Sequence, residues 1–182
     1  MLELVVFLLG SLGFILLSRQ SLTQPYSHGF PRFIAFEALL GLVVINARNW
    51  FIDPFSLIQI VSWALLLDAA FLAFHAFWTL HTYGAPNPAI QDDSRLGMEK
   101  TTKLVTVGPY HFIRHPMYAS LLCLAWGILL KHISLLSALL AILVSLTLLL
   151  TAVYEERENL HIFGEGYAAY MQQTKRFIPF IF

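Results

Sequence analysis

An arginine, two histidines, two tyrosines and two prolines fall between Lys103 and Tyr118, in the stretch KLVTVGPYHFIRHPMY. A hydrophobic run begins behind it at Met117. Arg114 and the free N–H groups of a helix starting at Pro116 would suit an anionic ligand group such as a carboxylate. The same residues also read as a basic membrane anchor, with proline in the first helical turn where its missing N–H costs little. That second reading leaves His115, Tyr110 and Tyr118 without a role. Charge and spacing alone do not decide between the two.

A second polar patch, YEERENLHIFGEGYAAYMQQTKRFIP, runs from Tyr154 to Pro179. Its apolar residues recur at Leu160, Phe163, Tyr167 and Tyr170, near helical spacing. One or two amphipathic helices at a membrane interface would show this pattern, with Gly164 and Gly166 as candidate breaks. Glu156 falls on the side of Leu160 and Phe163, and a carboxylate on an apolar face needs a partner or a wet cavity. The two patches are expected to meet at one membrane face and to enclose a cofactor between them.

His111 and His115 stand four apart, a spacing that can put two metal ligands on one helical face. Pro109 and Pro116 bracket the pair and no HxxHH cluster accompanies it, so no metal site is expected. The single cysteine, Cys123, excludes an intramolecular disulfide and reads as packing within an apolar run. No Walker A, GxSxG or GxGxxG sequence is present, which argues against an embedded soluble nucleotide-binding fold.

The elements that must position these residues are apolar. Of 182 residues, 58% are hydrophobic and 12% charged, and mean hydropathy is +0.69. A soluble domain carries about 25% charged residues, so the composition is that of an integral membrane protein. Net charge is zero and no basic run stands out, so no nucleic-acid partner is expected. Five apolar stretches can be drawn: Leu2–Leu17, Phe30–Asn46, Phe55–Leu80, Met117–Leu130 and Ile133–Val153. The second and fourth are short against the roughly 20 residues a straight span requires. The first lacks the positive start and small-residue cleavage site of a secretory signal, so a retained helix is expected.

The reading is therefore an all-α integral membrane protein of about five transmembrane helices, with a helical hairpin and a C-terminal interfacial amphipathic helix. Residues 1–182 are expected to form one membrane domain. Within it, 1–80 supply three spans, 81–116 a cytoplasmic loop and cofactor motif, 117–153 the hairpin, and 154–182 a cofactor-capping segment. With the N-terminus outside, the inner side receives Arg19, Arg32, Arg95, Lys100, Lys103, Arg114, Arg157, Lys175 and Arg176, and the outer side Arg48 and Lys131. That asymmetry follows the positive-inside bias and puts both polar patches and the C-terminus in the cytoplasm. The polar connection His81–Thr102 reads as turn and loop through GAPNPAIQDDSR. Glu37, Asp68 and His75 lie within spans. For Glu37 and Asp68 a helix–helix hydrogen bond is the favoured reading, while His75 stays open as a functional candidate.

Taken in order, the polar residues resemble a known pattern: Leu104-Val105, Gly108, Tyr110, Arg114-His115-Pro116 and Tyr118, then a hydrophobic hairpin, then Glu155-Glu156, Phe163-Gly164, Tyr167, Tyr170, Arg176 and Pro179. The stretch from about Lys100 to Pro179 resembles the integral-membrane methyltransferases that include isoprenylcysteine carboxyl methyltransferase and the phospholipid N-methyltransferases. The resemblance implies S-adenosylmethionine-dependent methyl transfer to a lipophilic acceptor at the cytoplasmic membrane face. A prenylated cysteine, a phospholipid or a small thiol or amine would serve as acceptor, and overall similarity leans to the isoprenylcysteine branch.

Carried over by position, Tyr110, Arg114, His115, Pro116, Tyr118 and Glu156 would line the cofactor pocket. Leu104, Val105 and Gly108 would shape its wall, with Glu155 and Arg176 in second rank. Arg114 would pair with the cofactor carboxylate, Glu156 with its amine or a ribose hydroxyl, and a tyrosine face with the sulfonium. Arg114, His115 and Glu156 are the catalytic candidates, His115 or Glu156 serving as base for an amine or thiol. Arg114→Ala and Glu156→Ala are expected to weaken cofactor binding in a folded protein, and Lys131→Ala to do little. Two other classes compete: an NADPH-dependent membrane sterol-type reductase, whose C-terminal region is similar, and a non-enzymatic small membrane transport protein. The latter explains the spans but not the polar pattern at both ends of the hairpin.

Overall fold

The computed structural model describes residues 1–19, 21–23, 26–85 and 101–181. Residues 86–100, which hold most of the expected loop together with Arg95 and Lys100, lie outside the described residues. Among the described residues the α-helices are α1 (Leu2–Ser18), α2 (Gly29–Asn46), α3 (Leu57–Tyr83), α4 (Pro116–Leu129), α5 (Leu135–Phe163) and α6 (Glu165–Gln173). Short 3₁₀ turns cover Ser21–Thr23, Ala47–Asn49 and Gly108–His111. The chain is all-helical, as the five apolar stretches predict. α2 with its following turn, α3 and α5 are long and apolar enough to cross a membrane, while α1 and α4 are shorter apolar helices.

Local chemistry sets several helix ends. The Ser56 and Ser134 hydroxyls accept from the backbone N–H groups of Gln59 and Ser137, capping α3 and α5. Pro116 opens α4, where no N–H partner is lost. Gly164, at φ +55°, ends α5 and starts α6, so it is the break the sequence suggested. Gly166 lies inside α6.

Residue pairs fix how the helices run. Ser11 donates to Glu37, and Arg48 Nε lies 2.6 Å from Glu3, so α1 and α2 are antiparallel. Asn46 Nδ2 donates to Ser137 Oγ at 3.1 Å while His28 meets Glu158 at the other end, so α2 and α5 are antiparallel. Ser62 donates to the Gly127 carbonyl at 2.7 Å and Gln59 to that of Leu130 at 2.9 Å, which makes α3 antiparallel to α4. One end of the bundle therefore gathers both polar patches, and the opposite end gathers Arg48 and Lys131.

Small and branched residues build the seam between α2, α4 and α5: Ala35, Leu39, Leu42, Ala125, Ile128, Val144 and Leu148 are buried. Such residues allow close approach where lipid offers no hydrophobic drive to helix pairing. Outward, α1, α3 and α5 expose large side chains such as Leu9, Leu16, Phe71, Phe74, Leu139 and Leu146, an apolar surface suited to lipid.

Within the spans, Glu37 accepts from Ser11 on α1, and Asp68 accepts from Cys123 Sγ on α4 at 3.4 Å. Helix–helix hydrogen bonds are thus the observed fate of both acids, and Cys123 takes part in one of them. His75 is exposed on α3 beside Phe71, at 5.5 Å between ring centroids. Lys131 lies in the turn between α4 and α5 and is buried. The tight α4–α5 turn tucks beneath the start of α3, which buries Lys131 with Nζ 3.3 Å from the Trp63 ring centroid and 5.8 Å from that of Trp50.

Candidate functional site

The motif segment is seated on the end of α3 before it reaches α4. Thr102 and Lys103 donate their backbone N–H groups to the Gly84 carbonyl at 3.1 and 3.3 Å. The 3₁₀ turn then begins at Gly108, whose φ is +61°. A Cβ at that position would stand 2.9 Å from Thr79 Oγ1, so the glycine serves both a left-handed backbone and a close approach to α3.

From Ile113 onward the motif pairs with the C-terminal segment. Ile113 bridges Lys175 in parallel. Arg114 N–H donates to the Lys175 carbonyl at 2.8 Å, and His115 N–H to that of Arg176 at 3.2 Å. Tyr170 on α6 donates its hydroxyl to the Tyr110 carbonyl at 2.5 Å. Two patches some forty residues apart in sequence order, as the Arg114–Glu156 separation of 42 shows, are thereby one folded unit.

The expectation for the end of α5 is changed in one respect. The polar patch continues the membrane helix without a break, so Tyr154–Phe163 is the projecting end of α5. Its inward face carries Ala152, Glu156 and Asn159, all buried, whereas Leu160 is exposed. Glu156 therefore points to the bundle because its partners are charged, and not because it shares a face with Leu160.

Those partners enclose it. Arg114 Nε lies 2.8 Å from Glu156 Oε1, Arg176 Nη2 lies 2.6 Å from Oε2, and His115 Nε2 lies 3.4 Å from Oε1. Arg114 Nη1 also donates to the Met171 carbonyl at 3.2 Å and to that of Thr174. The two residues expected to hold the carboxylate and the amine or ribose of a ligand are bound to each other. Charge-assisted pairs of this kind are the strong ones, and here they tie α4, α5, α6 and the C-terminal segment together.

His115 sits between two carboxylates, with Nδ1 3.6 Å from Glu155 Oε2, and its ring stacks on Tyr118 at 5.4 Å. Burial alone would lower the imidazole pKa; the neighbouring Glu155 and Glu156 outweigh it and raise the value. The imidazole is thus held toward its protonated form. Burial likewise pushes the Tyr167 and Tyr170 phenols up, so both stay neutral donors.

Beside this cluster opens a cavity with about 620 Å³ of non-protein space, its mouth included. Of the expected site residues, Leu104, Val105, Tyr110, Arg114, His115, Pro116, Tyr118 and Glu155 line it, while Gly108 and Glu156 do not. Gly108 acts beneath the wall through Thr79, and Glu156 acts behind it through Arg114. Arg176 belongs to the same rear cluster. His111 lines a separate groove with Phe112 and Lys175, so His111 and His115 do not converge.

Sequence reasoning did not assign Asn159, Phe163, Tyr167, Tyr170 and Lys103 to the wall, yet all five line it. Phe163, Tyr167 and Tyr170 already stood in the motif, and Asn159 follows Glu155 by one helical turn. Leu80 and Met117, from the ends of α3 and α4, complete the membrane side. Among the described residues Lys103 has no carboxylate partner, and it brings a cation to the cavity.

The chemistry of the lining is thus mixed: one carboxylate (Glu155), one amide (Asn159), the cations Lys103 and Arg114 with the His115 imidazole, several aromatic faces and an apolar edge toward the spans. The phospholipid methyltransferase family model matches residues 57–166, from the start of α3 into α6. No curated protein and no solved structure matches the chain. The matched residues include α3, the motif, α4 and α5, and leave α1 and α2 outside. The chain belongs to the phospholipid methyltransferase family of membrane proteins.

Proposed function

We propose that the cavity binds S-adenosylmethionine and that the protein transfers its methyl group to a lipophilic acceptor at the cytoplasmic membrane face. The observation that carries this reading is the composition of the cavity wall, which joins the eight expected site residues to Phe163, Tyr167 and Tyr170 of the same motif beneath an apolar edge. The donor set fits the cofactor. Lys103 and the first N–H groups of α4 suit its carboxylate, Glu155 and Asn159 its amine or ribose hydroxyls, and the tyrosine rings its sulfonium or adenine. When bound, the cofactor supplies a methyl group already activated by the sulfonium. The protein's task is then alignment and exclusion of water.

Arg114 and Glu156 hold the wall in shape, and their roles in this proposal are those of a frame. His115, kept toward its charged form, is a poor proton acceptor, so the wall is better suited to orienting an acceptor than to deprotonating it. Leu80 and Met117 lie where a lipid chain between α3 and α4 would reach the cavity. A prenylated cysteine carboxylate and a phospholipid headgroup both meet this description. The excess of Arg and Lys at this end of the bundle supports a cytoplasmic orientation, with the N-terminus outside.

Calorimetric titration of the detergent-purified protein with S-adenosylhomocysteine tests the cofactor. Saturable binding weakened by Glu155→Gln is expected, and no binding to folded protein would remove the proposal. Incubation of membranes with methyl-labelled S-adenosylmethionine tests the acceptor. Label extracted into organic solvent is expected, and label confined to water-soluble products would exclude a lipophilic acceptor.

A further inference from the structure

The polar end of α5 projects past its apolar run, so lipid does not hold it. Two of its restraints come from the motif: His115 and Arg114 on one side, Arg176 on another. The third comes from the N-terminal part of the chain, outside the residues the family model matches. His28, directly before α2, is 1% exposed and grips both oxygens of Glu158. Its backbone N–H donates to Oε1 at 3.2 Å, and its ring Nδ1 lies 2.6 Å from Oε2. Glu158 lies one helical turn beyond Glu155 and next to Asn159, the two polar residues that α5 gives to the cavity. His28 is also near enough to Glu155 for the two to interact electrostatically.

We propose that His28 is a positioning residue for the cavity, fixing through Glu158 the rotation of the α5 end and so the direction of Glu155 and Asn159. This rests on the reading of the cavity as the cofactor site. A purely structural clamp would be redundant. α2 and α5 already pack along their length through Ala35, Leu39 and Leu42 against Val144 and Leu148, and Asn46 bonds Ser137 at the far end. What the apolar seam cannot set is the azimuth of the last turns of α5, because most side chains there are polar and Arg157, Leu160, His161 and Ile162 are exposed. A two-point hold on one carboxylate does set it.

The test compares wild type, His28→Ala, His28→Asn and Glu158→Gln as full-length protein in detergent. Asparagine keeps a donor near the position of Nδ1. S-adenosylhomocysteine affinity should fall about tenfold in His28→Ala, as for the loss of one hydrogen bond to a charged group. It should largely return in His28→Asn, and adding Glu158→Gln to His28→Ala should cause little further loss. Hydrogen exchange of apo protein should quicken in His28→Ala over residues 154–163 and not over 135–150. Wild-type affinity in His28→Ala, or additive losses in the double variant, would overturn the proposal. If wild type itself binds no S-adenosylhomocysteine, the cofactor reading fails. The exchange measurement then still decides whether His28 holds the end of α5, with unchanged exchange over 154–163 counting against it.

Discussion

Arg114 Nε and Glu156 Oε1 are 2.8 Å apart, and their side chains are 8% and 5% exposed. A buried pair this close is a commitment. Removing one member leaves the other charged and dry, which costs about 3–5 kcal/mol. Glu156 also faces Arg176 and His115, so Glu156→Ala removes a carboxylate that three cationic groups share. Thermal unfolding in detergent should show Glu156→Ala strongly destabilised and Glu156→Gln less so. Wild-type stability in Glu156→Ala would show that the carboxylate is free for a ligand after all.

The neighbouring acid behaves differently. Glu155 lines the cavity, whereas Glu156 stands behind its wall. Glu155→Gln should therefore weaken S-adenosylhomocysteine binding by about 1.5–3 kcal/mol, the value of a hydrogen bond to a charged group. Glu156→Gln should change the affinity of the folded fraction far less. Calorimetry on the two variants at one temperature separates them, and equal losses would undo the distinction.

Gly108 gives a prediction on the motif's backbone. An alanine there must adopt φ near +61° and must push against Thr79 Oγ1 at 2.9 Å. The left-handed conformation alone costs an L-residue about 1–2 kcal/mol. Gly108→Ala should lower the unfolding temperature, and Thr79→Ala in the same chain should restore part of it by clearing the contact. No recovery in the double variant would mean that backbone strain alone accounts for the loss.

The division between what was legible and what was not follows from the physics of each residue. The spans could be read because lipid imposes length and composition on every one of them. The motif could be read as a unit because its order of residue types is long and specific. What pattern could not supply was partnership. Arg114 and Glu156 do meet, but whether a cation and a carboxylate meet a ligand or each other depends on side-chain direction after folding. The same holds for α5: the continuous apolar run ends at Val153, yet the helix continues to Phe163, with Glu156 held in buried charge pairs beyond the point where the run stops. His28 and Glu158 carried no signal at all, being separated by 130 positions and belonging to no motif.

Lys131 is a second case in which position along the chain carried no sign of the side chain's surroundings. It stands in the turn between α4 and α5, yet it is 4% exposed and its ammonium faces Trp63. Among the described residues that ammonium has no hydrogen-bond acceptor. Lys131→Ala should lose the ring contact and the packed stem, a destabilisation of about 2 kcal/mol. Lys131→Met keeps the stem without a buried charge and should be neutral or stabilising. Unfolding temperatures of the two variants check this, with unchanged cofactor affinity expected in both because the site lies at the opposite end of the bundle. Equal losses in the two variants would show that the charge itself matters.

His115 supplies the pH dependence. Its pKa is raised from the ordinary 6.5 because Glu155 and Glu156 outweigh its burial. A group raised on folding binds its proton more tightly in the native state, so it adds stability that is complete below the unfolded pKa. That stability is lost as pH climbs through the folded value. The excess stability of wild type over His115→Asn should therefore be largest below about pH 6.5 and should shrink as pH rises above it. Loss of the Tyr118 stacking partner contributes a pH-independent part, which remains as a constant offset. Unfolding temperatures of both proteins, measured from weakly acid to alkaline buffer, give the comparison directly. A difference that grows with pH would place His115 in its neutral form within the folded protein. It would then be free to act as a base, and the site would have to be read as one that deprotonates its acceptor.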